Sequence, residues 1–220
     1  MSLVRSQLVV DVPADNLALL SIEEMRAAAG VTGSARDAEL RTFGLGIASA
    51  IMSELGIAVG RGASEPTLWQ ETLTETFFWV LADELLLTRR HEVEVISVVS
   101  STGTLDPAEY DVDPEAGILT RLCGDRPIEW RSPRFAVTYK AGFAEAIPGD
   151  LKRAATEFFR LAWQSLARDP ALKSEVVDVP DVLRTEKNWW VGSVPGQSGE
   201  GAVPASIAGK LQRYRNVAIG

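Results

Sequence analysis

The sequence predicts an α+β protein: mainly a helical bundle, with two N-terminal helices plus one after the sheet, a small antiparallel β-sheet and hairpin insertion, and an extended C-terminal arm. Three observations carry this reading. Capped apolar repeats at helical spacing open the chain and recur near residue 151. Within about residues 72–140 the period shortens to the alternation of strands. After Pro170 no period is sustained. A body is therefore expected over 1–170, with helices at about 21–29, 35–55 and 151–167, and an arm over 171–220.

The first helix starts at Ser21-Ile22-Glu23-Glu24, a capping box in which hydroxyl and carboxylate each satisfy the other residue's amide. Gly30 is placed to end it. Ser34, with Asp37 at the third helical position, opens the second helix. Leu40, Phe43, Ile47, Ile51 and Leu55 form its apolar face. Gly44 and Gly46 lie inside it at roughly 1 kcal/mol each relative to Ala, which suggests close approach by a neighbour. The stretches 72–80 and 92–100 are rich in Thr, Val, Ile and aromatics, as strands are. In the second, Val93, Val95, Ser97 and Val99 are expected on one face, with Glu92, Glu94, Ile96 and Val98 on the other. Asp113-Pro114-Glu115-Ala116-Gly117 reads as a hairpin connection, Pro setting φ and Gly supplying φ > 0. From Arg134 to Lys140, Phe135, Val137 and Tyr139 share a side. Pro148-Gly149-Asp150 then starts the third helix, whose apolar face is Leu151, Ala155, Phe158, Ala162 and Leu166.

The arm carries Pro180, Pro195 and several glycines, yet also the adjacent Trp189 and Trp190, and it ends in a helix-like segment over 206–215. A solvated linker has no use for two tryptophans, whereas a docking arm uses them as anchors. Six basic against five acidic residues after 170 give the arm +1, and the total of −8 leaves about −9 on the body.

Composition narrows the function. Of 220 residues 46% are hydrophobic and 24% charged, ordinary values for a packed globular chain. The negative charge argues against a nucleic-acid reader, which needs clustered Lys and Arg, but permits a surface that DNA slides past. No apolar run is long enough to span a bilayer and no signal peptide is legible, so cytoplasmic synthesis without membrane attachment is expected. One cysteine excludes an internal disulfide. One histidine with it cannot fill a structural zinc site, so no metal is expected.

Catalytic patterns are equally thin. His91 reads as a loop or strand-edge residue, and Cys123 as a small buried hydrophobe without a basic partner. The acids Glu23, Glu24, Asp83, Glu84, Glu92, Glu94, Asp111 and Asp113 read as solvated faces and turn formers. The run 106–115 lacks the ligand spacing of an EF-hand. Gly60-Arg61-Gly62 is read as a flexible connection, not a phosphate loop. Trp69, Trp79, Trp130 and Trp163 are assigned to the core. No catalytic residue, no cofactor and no enzymatic activity are expected; a carboxylate-based hydrolase is the weakest alternative.

The run Thr104-Leu105-Asp106-Pro107-Ala108-Glu109-Tyr110-Asp111-Val112-Asp113, then Gly117-Ile118-Leu119 and Val137-Thr138-Tyr139-Lys140-Ala141-Gly142-Phe143, resembles the central signature of tailed-phage head–tail connector (adaptor) proteins. Ile147-Pro148-Gly149-Asp150-Leu151-Lys152-Arg153-Ala154 resembles the segment that leads into that family's later helix, and Leu20-Ser21-Ile22-Glu23-Glu24 resembles its opening helix. The resemblance spans roughly residues 18–168. It implies a structural virion protein of the neck, a homo-oligomeric ring of about twelve subunits. Such a ring joins the portal protein to tail-side neck proteins and lets double-stranded DNA pass without specific binding, and an acidic lumen would repel phosphate. Trp189, Trp190, Leu211 and Tyr214 are expected to grip the portal or an adjacent subunit, with Arg213 and Arg215 pairing to acids there. Another neck or tail role, head completion or tail terminator, is the nearest alternative.

Overall fold

A computed structural model describes residues 5–63, 65–166, 174–179, 183–188 and 203–216, with 174–179 and 183–188 as backbone. The chain forms two compact units, each assembled from separated segments. The first comprises Met1–Leu17, Leu55–Ile147 and Arg215–Gly220; the second comprises Ala18–Glu54 and Pro148–Tyr214.

Among the described residues the first unit is built of β-strands, with one 3₁₀ turn at Pro107–Glu109. Its strands are β1 (Arg5–Val12), β2 (Glu71–Ala82), β3 (Glu84–Leu86), β4 (Glu94–Ser100), β5 (Gly103–Thr104), β6 (Tyr110–Asp113), β7 (Ile118–Cys123), β8 (Arg126–Ile128) and β9 (Trp130–Ala141). One antiparallel sheet runs in the order β1-β2-β9-β4-β5, and the other runs β3-β7-β6 with β8 on β7. Alternation explains why β2 and β9 lie at the centre: Leu73 and Phe77 on one, Phe135, Val137 and Tyr139 on the other, all point into a single core. Trp130 closes that core, its indole N–H donating to the Leu119 carbonyl at 3.1 Å and its ring edge-on to Phe135. Each such ring contributes about 2–3 kcal/mol by leaving water.

Two irregularities redirect side chains. Phe78 pairs with Arg134 and Val80 with Ser132, so Trp79 stands opposite Pro133, which has no N–H to give the ladder. Trp79 takes φ 54° there, and the inward face switches from Phe77 to Val80. In β4 the register shifts between Val95 and Ser97. The extra residue reverses the faces expected beyond it, so Val98 is buried and Val99 exposed. The hairpin of β6 and β7 turns over residues 114–117, where the Asp113 carboxylate accepts from the amides of Glu115 and Ala116 and Gly117 takes φ 66°.

The second unit holds α1 (Ile22–Ala29), α2 (Asp37–Glu54), α3 (Gly149–Ser165) and α4 (Ala205–Leu211), with β10 (Ser174–Val179) paired antiparallel to β11 (Leu183–Asn188). The capping box forms: Glu24 donates its amide to Ser21 Oγ at 3.2 Å, and the Ser21 amide donates to Glu24 Oε2 at 2.7 Å. Leu40, Ile47 and Ile51 of α2 are buried, and Phe43 meets Phe159 and Trp163 of α3 edge-on at 5.2 Å. A Cβ at Gly44 would collide with the Met25 thioether, whereas Gly46 faces open space, so only the first glycine marks a close approach.

The class is α+β, but the expectation of a mainly helical protein is corrected: strands hold more of the described residues than helices do. The additional strands outside 72–140 are β1, an edge strand whose Leu8-Val9-Val10 core is too short to show a period, and the β10–β11 pair within the stretch read as an extended arm. Two further readings change. Leu166 is 61% exposed past the end of α3, and Cys123 is exposed at the tip of β7 instead of buried. The helix-like segment expected over 206–215 is observed as α4 followed by a 3₁₀ turn at Gln212–Tyr214, with Tyr214 bonded to Asp150 of α3.

Candidate functional site

Among the described residues the buried polar side chains, Thr67, Glu71, Glu75 and Arg89, all lie in the first unit. Arg89, 4% exposed, donates through Nη2 to Glu71 Oε2 at 2.7 Å and through Nη1 to the Thr67 carbonyl. Glu75 accepts from the amide and hydroxyl of Thr88 and from the Tyr139 hydroxyl at 3.2 Å. Burial raises the Glu71 carboxyl above the usual range, opposed by the Arg89 charge. Burial and then the Glu75 charge push the Tyr139 phenol well up. Asn216 joins the group, donating its side-chain amide to the Thr88 carbonyl and its backbone amide to Leu55.

This arrangement binds loops to strands and offers no room for a substrate. The cavity beside Arg89, Arg90 and His91 is only about 10 Å³, roughly one water. His91 stacks on Phe143 at 5.5 Å and lies 3.5 Å from the Glu115 carboxylate, a loop residue at φ 69°. Among the described residues no three His, Cys, Asp or Glu converge as metal ligands, and no helix is long and apolar enough to cross a membrane.

The exposed surface is more informative. Trp79, expected in the core with Trp69, Trp130 and Trp163, is 82% exposed. Trp130 and Trp163 are buried and Trp69 is half-buried. The sequence did hold a signal: Phe77-Phe78-Trp79-Val80 places four large apolar residues in succession, and no pleated strand can turn them all inward. Trp79 stands beside a groove of about 450 Å³ lined by Arg5, Ser6, Gln7, Leu8, Val59, Arg61, Phe78 and Trp79 itself. The Gly60-Arg61-Gly62 segment is not the flexible connection expected. Its Arg61 amide donates to Leu8 and its carbonyl accepts from Val10 of β1, and a Cβ at Gly62 would lie 2.8 Å from the Val10 carbonyl oxygen.

Chains with the same architecture occur in solved particles. Over 97% of its own length and 97% of theirs, the protein is similar to a chain from the virion of the native gene transfer agent (GTA) particle (TM-score 0.54, 18% identity) and to one from the neck of the empty GTA particle computed with C6 symmetry (0.54, 19%). A chain from the neck of the native GTA particle computed with C12 symmetry gives 0.50 and 17%. The likeness is one of fold. No protein-family model and no curated protein matches the chain.

Of the expected docking residues, Trp189 and Trp190 lie outside the described residues. Leu211 and Tyr214 are buried in the second unit. The Tyr214 hydroxyl donates to Asp150 Oδ1 at 2.7 Å and accepts from Arg213, whose guanidinium sits 4.6 Å over the phenol ring and 3.2 Å from Asp150. Burial first, then the Asp150 carboxylate, push the Tyr214 phenol up to about 12. The same bond from Tyr214 lowers the Asp150 carboxyl. Arg213 and Arg215 are exposed. Among the described members of the set, Leu211 and Tyr214 are thus buried and Arg213 and Arg215 lie at the surface.

Proposed function

We propose that the protein is a structural subunit of a phage-type particle neck, a head–tail connector that works in a ring between portal and tail and catalyses nothing. The observation that carries this is the shared architecture over nearly the whole of both chains with proteins from GTA virions and necks. The connector-like run from Leu105 to Ala154 adds to it. Necks computed with C6 and C12 symmetry make a ring the natural assembly, with twelve subunits as the working number.

In this reading the acidic chain, −8 overall, lets genomic DNA move through the ring without adhesion. The C-terminal segment meets the portal or the next subunit through Trp189 and Trp190, with Arg215 pairing to acids there and Arg213 already held by Asp150 of the same chain. Leu211 and Tyr214 hold its helical end on α3, next to Arg213 and Arg215 in the chain.

The test is the mass of the purified chain, alone and mixed with a portal ring. Formation of a stable multiple of the 23.8 kDa subunit on the portal supports the connector role. A compact monomer indifferent to portal removes it. Trp189→Ala with Trp190→Ala should weaken portal binding about 10-fold or more while leaving the subunit folded.

A further inference from the structure

We propose that the Trp79 groove at the β1 edge of one subunit receives the opposite edge of the same five-stranded sheet, β4–β5 with its acidic turn, from a second copy of this chain. The proposal rests on the ring reading above and names the surfaces that would close it.

The two edges differ in chemistry in a way that suits each other. At the β1 edge, Trp79 and Val59 are exposed apolar groups and Arg5 and Arg61 are exposed cations, with no acidic residue lining the groove. Neither arginine side chain has an ion pair among the described residues, although the chain as a whole carries −8. An exposed Trp flanked by Arg is the composition of an interface centre and not of a solvated strand.

At the far edge, β4 pairs with β5 only through Val99 and Ser100, so no described strand covers it from Glu94 to Ser97. Ile96 is 52% and Val99 39% exposed there, Ile96 by the strand's alternation and Val99 because the register shift turns it outward. Immediately after β5, Asp106 and Glu109 cap a 3₁₀ turn: the Asp106 carboxylate accepts from the Ala108 amide and the Glu109 carboxylate from the Asp106 amide. These bonds fix both acids in place without neutralising them, since each donor is an uncharged amide. Nearby Glu94 is already paired with Lys140 at 3.0 Å.

One edge thus offers apolar groups with unpaired cations, and the other offers apolar groups with unpaired anions. Because they are opposite edges of one sheet, joining them is head-to-tail, the geometry that closes a ring when the rotation per subunit fits. The open stretch of β4 from Glu94 to Ser97 is otherwise an aggregation hazard on a free subunit, and the charges limit pairing to this one sense.

Sedimentation of the full-length protein over a concentration series tests this. The wild type is expected to self-associate, and Trp79→Ala should weaken association about 10-fold or more, as should the pair Arg5→Glu and Arg61→Glu. Asp106→Arg with Glu109→Arg should do the same, and a chain carrying all four charge reversals should regain association, since each contact then meets its opposite again. Circular dichroism identical to wild type keeps these results from being a folding effect. Wild-type association untouched by every variant overturns this interface and leaves the neck reading standing. A wild type that neither self-associates nor assembles on a portal ring overturns both.

Discussion

Replacing Arg89 with Met tests whether the buried polar group is the clasp of the first unit. Arg89 and Glu71 are 4% and 3% exposed, and the guanidinium holds both the Glu71 carboxylate and the Thr67 carbonyl. The substitution leaves a carboxylate and a carbonyl facing no donor from that side. Removing one member of a buried pair costs about 3–5 kcal/mol, a large part of the roughly 5–15 kcal/mol that stabilises a domain. Replacing both, Glu71→Leu with Arg89→Met, removes the stranded charge. That should lose only about 1–2 kcal/mol, chiefly through the unpaired Thr67 carbonyl.

The pH dependence has a definite sign. Burial already lifts the Glu71 carboxyl, with the Arg89 charge pulling it back, so without Arg89 it rises further. A carboxyl raised in the folded state contributes stability below its unfolded value and loses it as pH rises through the folded value. The deficit of Arg89→Met should therefore be largest at neutral pH and shrink as pH falls towards the ordinary carboxylate range. Urea unfolding followed by near-ultraviolet circular dichroism, repeated between about pH 5 and 8, measures both effects. A loss under about 1 kcal/mol, a double variant equal to the sum of its singles, or a deficit growing in acid would refute this account.

Two other substitutions probe backbone and caps. Gly142 takes φ 100°, and a Cβ there would lie 2.5 Å from the Trp69 carbonyl oxygen, so Gly142→Ala should destabilise the first unit by about 2 kcal/mol or more in a thermal melt. Ser21→Ala removes the acceptor for the Glu24 amide and should cost about 1 kcal/mol in urea unfolding of the helical unit.

The helices were legible because their signals are local. The Ser21 box, the Gly30 stop and the apolar spacing of α2 each lie within a few residues, and the structure puts α1 at Ile22–Ala29 and α2 at Asp37–Glu54. The central strands β2 and β9 were legible from alternation for the same reason. What failed depends on partners distant in sequence. Trp79 turns outward because its opposite is Pro133, and Val99 turns outward because of a register shift against β9, neither of which is written in its own strand. Arg61 bonds the edge of β1 some fifty residues earlier, so its segment looked like a connection. The candidate interface was hidden by the same cause: the two sheet edges are set by strand order, and strand order is not a local property.

The C-terminal segment shows why truncation is the wrong experiment for the docking question. A solvated arm could be removed without harm to the rest. Here Ile207, Leu211 and Tyr214 are at most 2% exposed in the second unit, and Asn216 bonds Leu55 and Thr88 in the first. Deleting residues 203–220 strips about 1.5–3 kcal/mol for each large apolar side chain. It also frees Asp150 from Tyr214. The expected result is a destabilised protein, so a negative result in a portal-binding assay would report folding alone. Asp150→Asn is the finer probe. The Tyr214 bond holds the Asp150 carboxyl low, so its contribution is present above the ordinary carboxylate range and fades as pH falls through the lowered value. The variant should lose about 1 kcal/mol at neutral pH and match the wild type in strong acid, with proteolysis near α4 as the readout. If the truncated chain instead melts with the wild type, then α4 does not support the helical unit, and the whole segment returns to being an arm.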